Sequence, residues 1–182
     1  PGTTKLVILK NKFLFLSLLL RHIGAAAVWT ILPIMIVERW GGDLYHISIV
    51  YVANTLTAFI LMNVMASKIH LSNVTKFKIG IGCTTFVFIG LSFVTEWWMA
   101  MPFMSLVGAT WAFLFIGGNF HLMENNPRST STGIFSSTLS ISTVIGPIIA
   151  GSIAFMFDYV AVMYFAITII ISAFLVSLKI SK

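Results

Sequence analysis

The sequence predicts an all-α polytopic membrane protein with six transmembrane helices. Of its 182 residues, 58% are hydrophobic and only 9% are charged, and the mean hydropathy is +1.00, whereas about a quarter of the residues of a soluble domain carry charge. The apolar residues form six runs, and roughly 20 apolar residues in a helix cross about 30 Å of hydrocarbon. This composition excludes a soluble domain and a disordered chain, and a single cysteine excludes an intrachain disulfide scaffold.

Polar breaks delimit the first three spans. The first span, residues 13–37, follows a basic segment and ends at an acidic, glycine-containing break. The second span, residues 44–67, ends at the basic loop 68–78, and the third span, residues 79–95, is the shortest. Loops this short place consecutive helices antiparallel to one another.

The last three spans differ in composition. The fourth, residues 98–123, is mixed, and the fifth, residues 132–157, is rich in Ser, Thr and Gly. The sixth, residues 159–178, is branched and aromatic almost throughout, which is typical of a lipid-facing helix. Together the spans form one transmembrane domain over residues 13–178.

The charges predict the orientation of the bundle. If both termini are cytoplasmic, nine of the eleven cations and only one of the five acids lie on that side, as the positive-inside rule requires. We therefore expect a multi-pass protein of the cell membrane with a cytoplasmic linker at 1–12 and a cytoplasmic tail at 179–182. The nine cations are Lys5, Lys10, Lys12, Lys68, Lys76, Lys78, Arg128, Lys179 and Lys182.

The fifth span carries a distinctive pattern of small residues. Gly133, Gly146, Pro147 and Gly151 follow the stretch that begins at Arg128, and this pattern resembles the fifth helix of a six-helix repeat of the major facilitator superfamily. The first span, with its Arg-His-Ile-Gly-Ala sequence, is similar to the seventh span of family members. The resemblance implies half of a facilitator fold, built from two inverted three-helix repeats.

The loop between the second and third spans indicates which half this is. Residues 66–78 keep the cations and lack the acid that is usual in amino-terminal halves. The resemblance therefore implies the C-terminal half of a carrier that moves a small solute by alternating access, partnered by an N-terminal six-helix half. The alternative is an autonomous six-helix protein that pairs with a second copy.

An internal echo accompanies this interpretation. Gly24 followed by Trp29 in the first span is matched by Gly108 followed by Trp111 in the fourth, about half the chain away. Inverted repeats leave weak self-similarity of this kind. Chance similarity between two apolar helices explains it equally well.

Small residues in the fifth span recur at steps of three and four, which puts them on one helical face. Such a stripe lets another backbone approach closely, and a proline removes one intrahelical hydrogen bond. We expect a kink beside Gly146 and Pro147 and an interface with the other half, against the alternative of static packing. The stripe consists of Gly133, Ser136, Ser140, Thr143, Pro147 and Ala150.

Polar and aromatic residues inside the spans are the candidates for function, because burying polar groups in a membrane is costly without partners. Arg21 either extends to the cytoplasmic headgroups or has a solute or gating role. The resemblance favours Trp29, Asn54, Trp111 and Asn119 as solute contacts, and ordinary packing is the alternative for each. The full set of solute-pathway candidates is Arg21, His22, Trp29, Tyr51, Asn54, Trp111 and Asn119.

The spans lack acids and catalytic patterns. No Asp or Glu lies within a predicted span, so a proton relay in this chain would use His22 or His121. No metal-ligand spacing, phosphate loop or nucleophile set is present. We therefore expect no enzymatic activity, cofactor, metal or nucleic-acid partner, and the partners are a small solute, the other half and the lipid bilayer. A haem-bearing or metal-bearing membrane subunit is the weaker alternative.

Overall fold

The computed structural model describes the backbone of residues 2–180 and the side chains of residues 3–64 and 69–180. This part of the chain folds into seven α-helices and one 3-10 turn, Trp97–Met99, and contains no strand. The α-helices are α1 Gly2–Lys10, α2 Lys12–Glu38, α3 Leu44–Lys68, α4 Asn73–Leu91, α5 Ala100–Asn125, α6 Arg128–Met156 and α7 Tyr159–Ser177.

Six of these helices, α2 to α7, are long and apolar enough to cross a membrane, which confirms the predicted number. The third span differs most from its predicted bounds, because α4 begins at Asn73 and ends at Leu91. Its start is set by Ser72, whose Oγ accepts a hydrogen bond from the backbone N–H of Thr75 at 3.2 Å. Lys76 and Lys78, which precede the predicted start of the third span at residue 79, therefore lie inside α4.

The segment expected as a linker is largely helical. Helix α1 packs against α6 and the start of α2, and Val7 is buried in that contact. Asn11 separates α1 from α2, and its Nδ2 donates to the carbonyl oxygen of Val7 at 2.9 Å.

Two acids at the helix ends act as N-caps. Asp43 accepts the backbone N–H groups of Tyr45 and His46 at 2.8 and 3.0 Å, and the bond from His46 is the main reason that the pKa of the Asp43 carboxyl is lowered. Asp158 caps α7 by accepting the N–H of Ala161 at 2.8 Å. These acids explain where α3 and α7 begin.

The helix contacts follow a symmetric pattern. Helix α2 packs mainly on α6 and α7, helix α5 packs mainly on α3 and α4, and α4 and α7 pack on each other. These main contacts are unchanged when α2, α3 and α4 are exchanged with α5, α6 and α7. Within the described part of the chain, α3 and α6 have at most marginal contact, so this side of the bundle is open.

Close helix crossings depend on glycine. A Cβ on Gly108 would collide with the backbone oxygen of Asn54 in α3, and one on Gly146 would lie 2.6 Å from the Cβ of Ala26 in α2. Gly24 instead faces Ala166 and its neighbours in α7. Gly24 and Gly108, the two glycines of the internal echo, therefore contact helices that the symmetry does not relate.

The buried apolar residues form two main clusters, one toward each end of the bundle. Along α2, Leu18 belongs to one cluster and Ala25 to the other. The break between the clusters falls at Arg21 and His22, so a polar level interrupts the core near the middle of the bundle.

Candidate functional site

Four helices contribute to this polar level, which we call the polar layer: Arg21 of α2, Thr84 of α4, Trp111 of α5 and Ser142 of α6. Arg21, Thr84 and Ser142 are buried. In α4, Ile81 and Val87 flank Thr84 and belong to opposite apolar clusters. Burial of polar groups in a membrane is unfavourable without partners. Polar groups of this layer that lack a partner within the chain are therefore candidates for binding a ligand.

A cavity of about 280 Å³ adjoins the polar layer between α2, α3 and α5. Such a volume is well above the roughly 10–15 Å³ that one water molecule requires by this measure. Six of the seven solute-pathway candidates meet in its wall, together with one apolar residue. The lining residues are Arg21, His22, Trp29, Tyr51, Asn54, Val107 and Trp111.

Arg21 is held inside the bundle. Its side chain is only 2% exposed, and Nη2 donates to the Oγ1 of Thr84 at 3.2 Å. The guanidinium carbon lies 5.5 Å from the ring centroid of Trp111, a cation–π distance. The side chain therefore does not extend toward headgroups at the end of the bundle, as the first interpretation of Arg21 required.

The positive charge of Arg21 has no acid beside it in the described residues. The described ion pair of an arginine lies at the ends of two helices and joins Arg39 to Asp158. His46 and His121 lie beside Asp43 and Glu124. The Nε of Arg21 also lacks a hydrogen-bond partner there. A cation at mid-helix costs about 2.5–3.5 kcal/mol on insertion scales, so this residue is an unneutralised charge facing a cavity.

Tyr51 and Trp29 form the far wall of the cavity. Pro33 has no N–H to give to the carbonyl of Trp29 four residues earlier in α2. The Oη of Tyr51 donates to that carbonyl oxygen at 3.1 Å, and the two rings lie 5.5 Å apart. The proline thus leaves an acceptor that fixes α3 against α2.

His22 lies on the wall beside Trp111. The centroids of the two rings are 5.4 Å apart, and the buried Nδ1 of His22 has no hydrogen-bond partner among the described residues. Asn54 lies on the α3 side of the same cavity. The site therefore combines a guanidinium, an imidazole, an amide and aromatic faces.

Two residues depart from the sequence-based prediction. Asn119 is buried away from the cavity, and its Nδ2 donates to the carbonyl oxygen of Phe115 in its own helix at 3.2 Å. Thr84, which the prediction missed, supports Arg21 from α4. A hydroxyl near the middle of the third apolar span was the available signal.

The predicted residues of α6 separate into two groups. Gly146 is buried against α2, whereas Gly133 and Gly151 are exposed and have nothing within 4 Å of an added Cβ. Pro147 is partly buried inside one helix that runs from Arg128 to Met156. Gly146 therefore contributes to packing within this chain and not to an interface with a separate half.

A larger cavity of about 560 Å³ lies at the end of the bundle near Lys10 and Lys179. His121 and Glu124 line it, and the Nδ1 of His121 lies 3.9 Å from the Oε2 of Glu124. The acid there compensates nearby cations, unlike the central cavity. In the described residues no group of three His, Cys, Asp or Glu side chains is arranged to hold a metal ion.

No protein-family model matches the sequence. No curated protein matches it either.

Proposed function

We propose that the protein moves a small solute across a cell membrane by alternating access, as the C-terminal six-helix half of a major facilitator superfamily carrier. The observation that carries this proposal is the central cavity, where polar and aromatic side chains of three membrane-spanning helices converge. Small-molecule sites combine apolar walls with a few placed polar groups in this way. Transporters hold their solute near the middle of the membrane.

The helix contacts support this assignment. Exchange of α2, α3 and α4 with α5, α6 and α7 leaves the main contacts unchanged, as expected for two inverted three-helix repeats. In that arrangement α2 and α5 line the solute path, and both contribute to the central cavity. Helices α4 and α7 pack behind them.

The open side of the bundle supports a partner. Helices α3 and α6 are the least buried of the six long helices, and hydroxyl-bearing and glycine residues of α6 are exposed there, among them Gly133, Ser136 and Ser140. Small polar side chains suit contact with another helix better than contact with lipid tails. The partner is the N-terminal half or, in the alternative assembly, a second copy.

The positive-inside rule places both termini in the cytoplasm in this proposal. Rocking of the two halves then exposes the central cavity first to one side of the membrane and then to the other. A solute bound between α2, α3 and α5 would cross without the protein moving through the bilayer. Aromatic rings at Trp29, Tyr51 and Trp111 would enclose it during the transition.

Cysteine accessibility tests alternating access without knowledge of the solute. Cys83 is the single cysteine of the sequence, so Asn54→Cys in a Cys83→Ser background introduces one thiol at the cavity. We expect a membrane-impermeant maleimide to label it in both right-side-out and inside-out vesicles from cells that produce the protein. Labelling from both sides is expected because the two conformations of the carrier open the cavity in turn to opposite sides of the membrane.

Phe86→Cys in the same background is the matched control. Phe86 is 75% exposed and lines an apolar groove between α4 and α5, so a charged reagent should not reach it through lipid. Labelling of Asn54→Cys from one side only would contradict alternating access and favour a static pocket. Labelling of both variants alike would show that the reagent does not discriminate between cavity and lipid.

A further inference from the structure

We propose that the solute is a small organic or inorganic oxyanion, a carboxylate or a phosphate-type group, bound by the guanidinium of Arg21 in the central cavity. This inference rests on the proposed transport function and specifies its substrate class. It is carried by the position of an unneutralised cation in the wall of that cavity.

The donors of Arg21 are only partly used. A guanidinium has five N–H donors in a rigid planar fork. Among the described residues, Nη2 donates to Thr84, and the buried Nε donates to no atom. Trp111 lies against the guanidinium and holds it beside the cavity. The N–H groups of the guanidinium that Thr84 does not use remain as donors for an oxyanion, which forms short, charge-assisted hydrogen bonds with arginine.

The positive charge of Arg21 favours an anionic ligand over a cationic one. None of the residues that line the cavity is an acid, so a bound anion meets no repelling carboxylate there, and a bound cation meets Arg21. In a medium of low dielectric constant this difference is larger than in water. The unfavourable burial of an unpaired cation is relieved when an anion binds.

Other side chains of the cavity suit the same ligand. Asn54 supplies an amide with two donors, and the rings of Trp29 and Trp111 can cover the apolar part of a carboxylate. The cavity volume of about 280 Å³ limits the ligand, or the part of it that this chain binds, to the size of a small molecule. A short carboxylate and inorganic phosphate both satisfy these conditions.

A binding measurement on the purified protein tests the proposal. The probes are the sodium salts of acetate, lactate, phosphate and sulfate, at constant ionic strength in a chloride buffer, with choline chloride and glycerol as cationic and neutral probes. We expect at least one oxyanion to raise the melting temperature saturably, and titration calorimetry to show a Kd at least tenfold higher for Arg21→Gln. Arg21→Lys should bind more weakly than the wild type and more tightly than Arg21→Gln.

Arg39→Gln is the matched control. It removes the same charge from an exposed arginine that lies 3.6 Å from Asp158 at a helix end, and its oxyanion affinity should equal that of the wild type. If Arg21→Gln does not fold, the comparison of Arg21→Lys with Arg39→Gln carries the test. An equal oxyanion affinity in these two variants would then overturn the proposal.

Two further outcomes would also overturn it. If choline or glycerol binds and no oxyanion does, the solute class is wrong, and labelling of Asn54→Cys from both sides would leave the transport function intact. If no probe binds and Arg21→Gln lowers the melting temperature without any added anion, Arg21 pairs with an acid of the partner half or copy. Loss of two-sided labelling, in contrast, would contradict transport itself.

Discussion

The two faces of α6 consist of similar small residues and lie in different surroundings. On one face Ser142, Gly146 and Ala150 are buried. Gly146 packs against Ala26 of α2, and the Oγ of Ser142 lies 3.3 Å from the carbonyl oxygen of Leu19 in the same helix. On the other face Gly133 and Gly151 are exposed. Small residues on a membrane helix therefore indicate that a close approach is possible, but only the packing shows which face this chain uses itself.

Gly146→Leu should have the largest effect on the stability of the chain. Even a Cβ at this position lies 2.6 Å from the Cβ of Ala26 and 2.8 Å from the carbonyl oxygen of Ile23, so a leucine must push α2 and α6 apart. Overpacking of this kind costs about 1–3 kcal/mol. We expect a lower melting temperature in detergent, and an unchanged one would show that α6 does not pack here.

Ser142→Ala should have a smaller effect on the same face. Its hydroxyl lies within hydrogen-bond distance of the carbonyl oxygens of Leu19 in α2 and Thr138 in its own helix. Hydrogen bonds between membrane helices contribute about 0.6 kcal/mol on average, so we expect a loss of that size in the free energy of unfolding. The control is Ser140→Ala on the exposed face. An equal decrease in the free energy of unfolding in the two variants would contradict the distinction between the faces.

Gly151→Leu should leave the stability of the isolated chain within about 0.5 kcal/mol of the wild type. No atom lies within 4 Å of an added Cβ, so a leucine meets no neighbour in this chain. We expect it instead to weaken association with the other half or copy, measured by co-purification of tagged partners. Unchanged association would exclude Gly151 from that interface. The comparison is Gly146→Leu at equal expression, because Gly146 packs within this chain and not at the interface.

Much of the fold follows from hydropathy, because six long apolar runs leave few alternatives. The start of α4 did not follow, because the cap at Ser72 and not the hydropathy of Lys76 and Lys78 determines it. The charge and position of residues 1–12 predict a linker, whereas contact with α6 and α2 accompanies a helix there, α1. Local hydrogen bonds therefore set boundaries that a count of apolar residues does not contain.

The sequence identifies most of the residues of the candidate site, because polar and aromatic residues near the middle of the spans line one cavity. Asn119 is an exception, because an amide can be satisfied by its own helix. Thr84 was missed because a helical threonine usually bonds back to a carbonyl four residues earlier, as this one does to Gly80 at 2.7 Å. Its second role, accepting from Arg21, depends on how α2 and α4 pack and is not visible in either helix alone.

The packing of α2 on the last two helices has a consequence for biogenesis. At about 5 to 20 residues per second, the roughly 135 residues from Arg21 to the end of α6 take about 7 to 27 s to synthesise. During that interval the helix that bears the buried cation lacks its main packing partners, α6 and α7. A nascent chain arrested before α6 should therefore crosslink through α2 to the insertion machinery, and release from it should coincide with the emergence of the final helices.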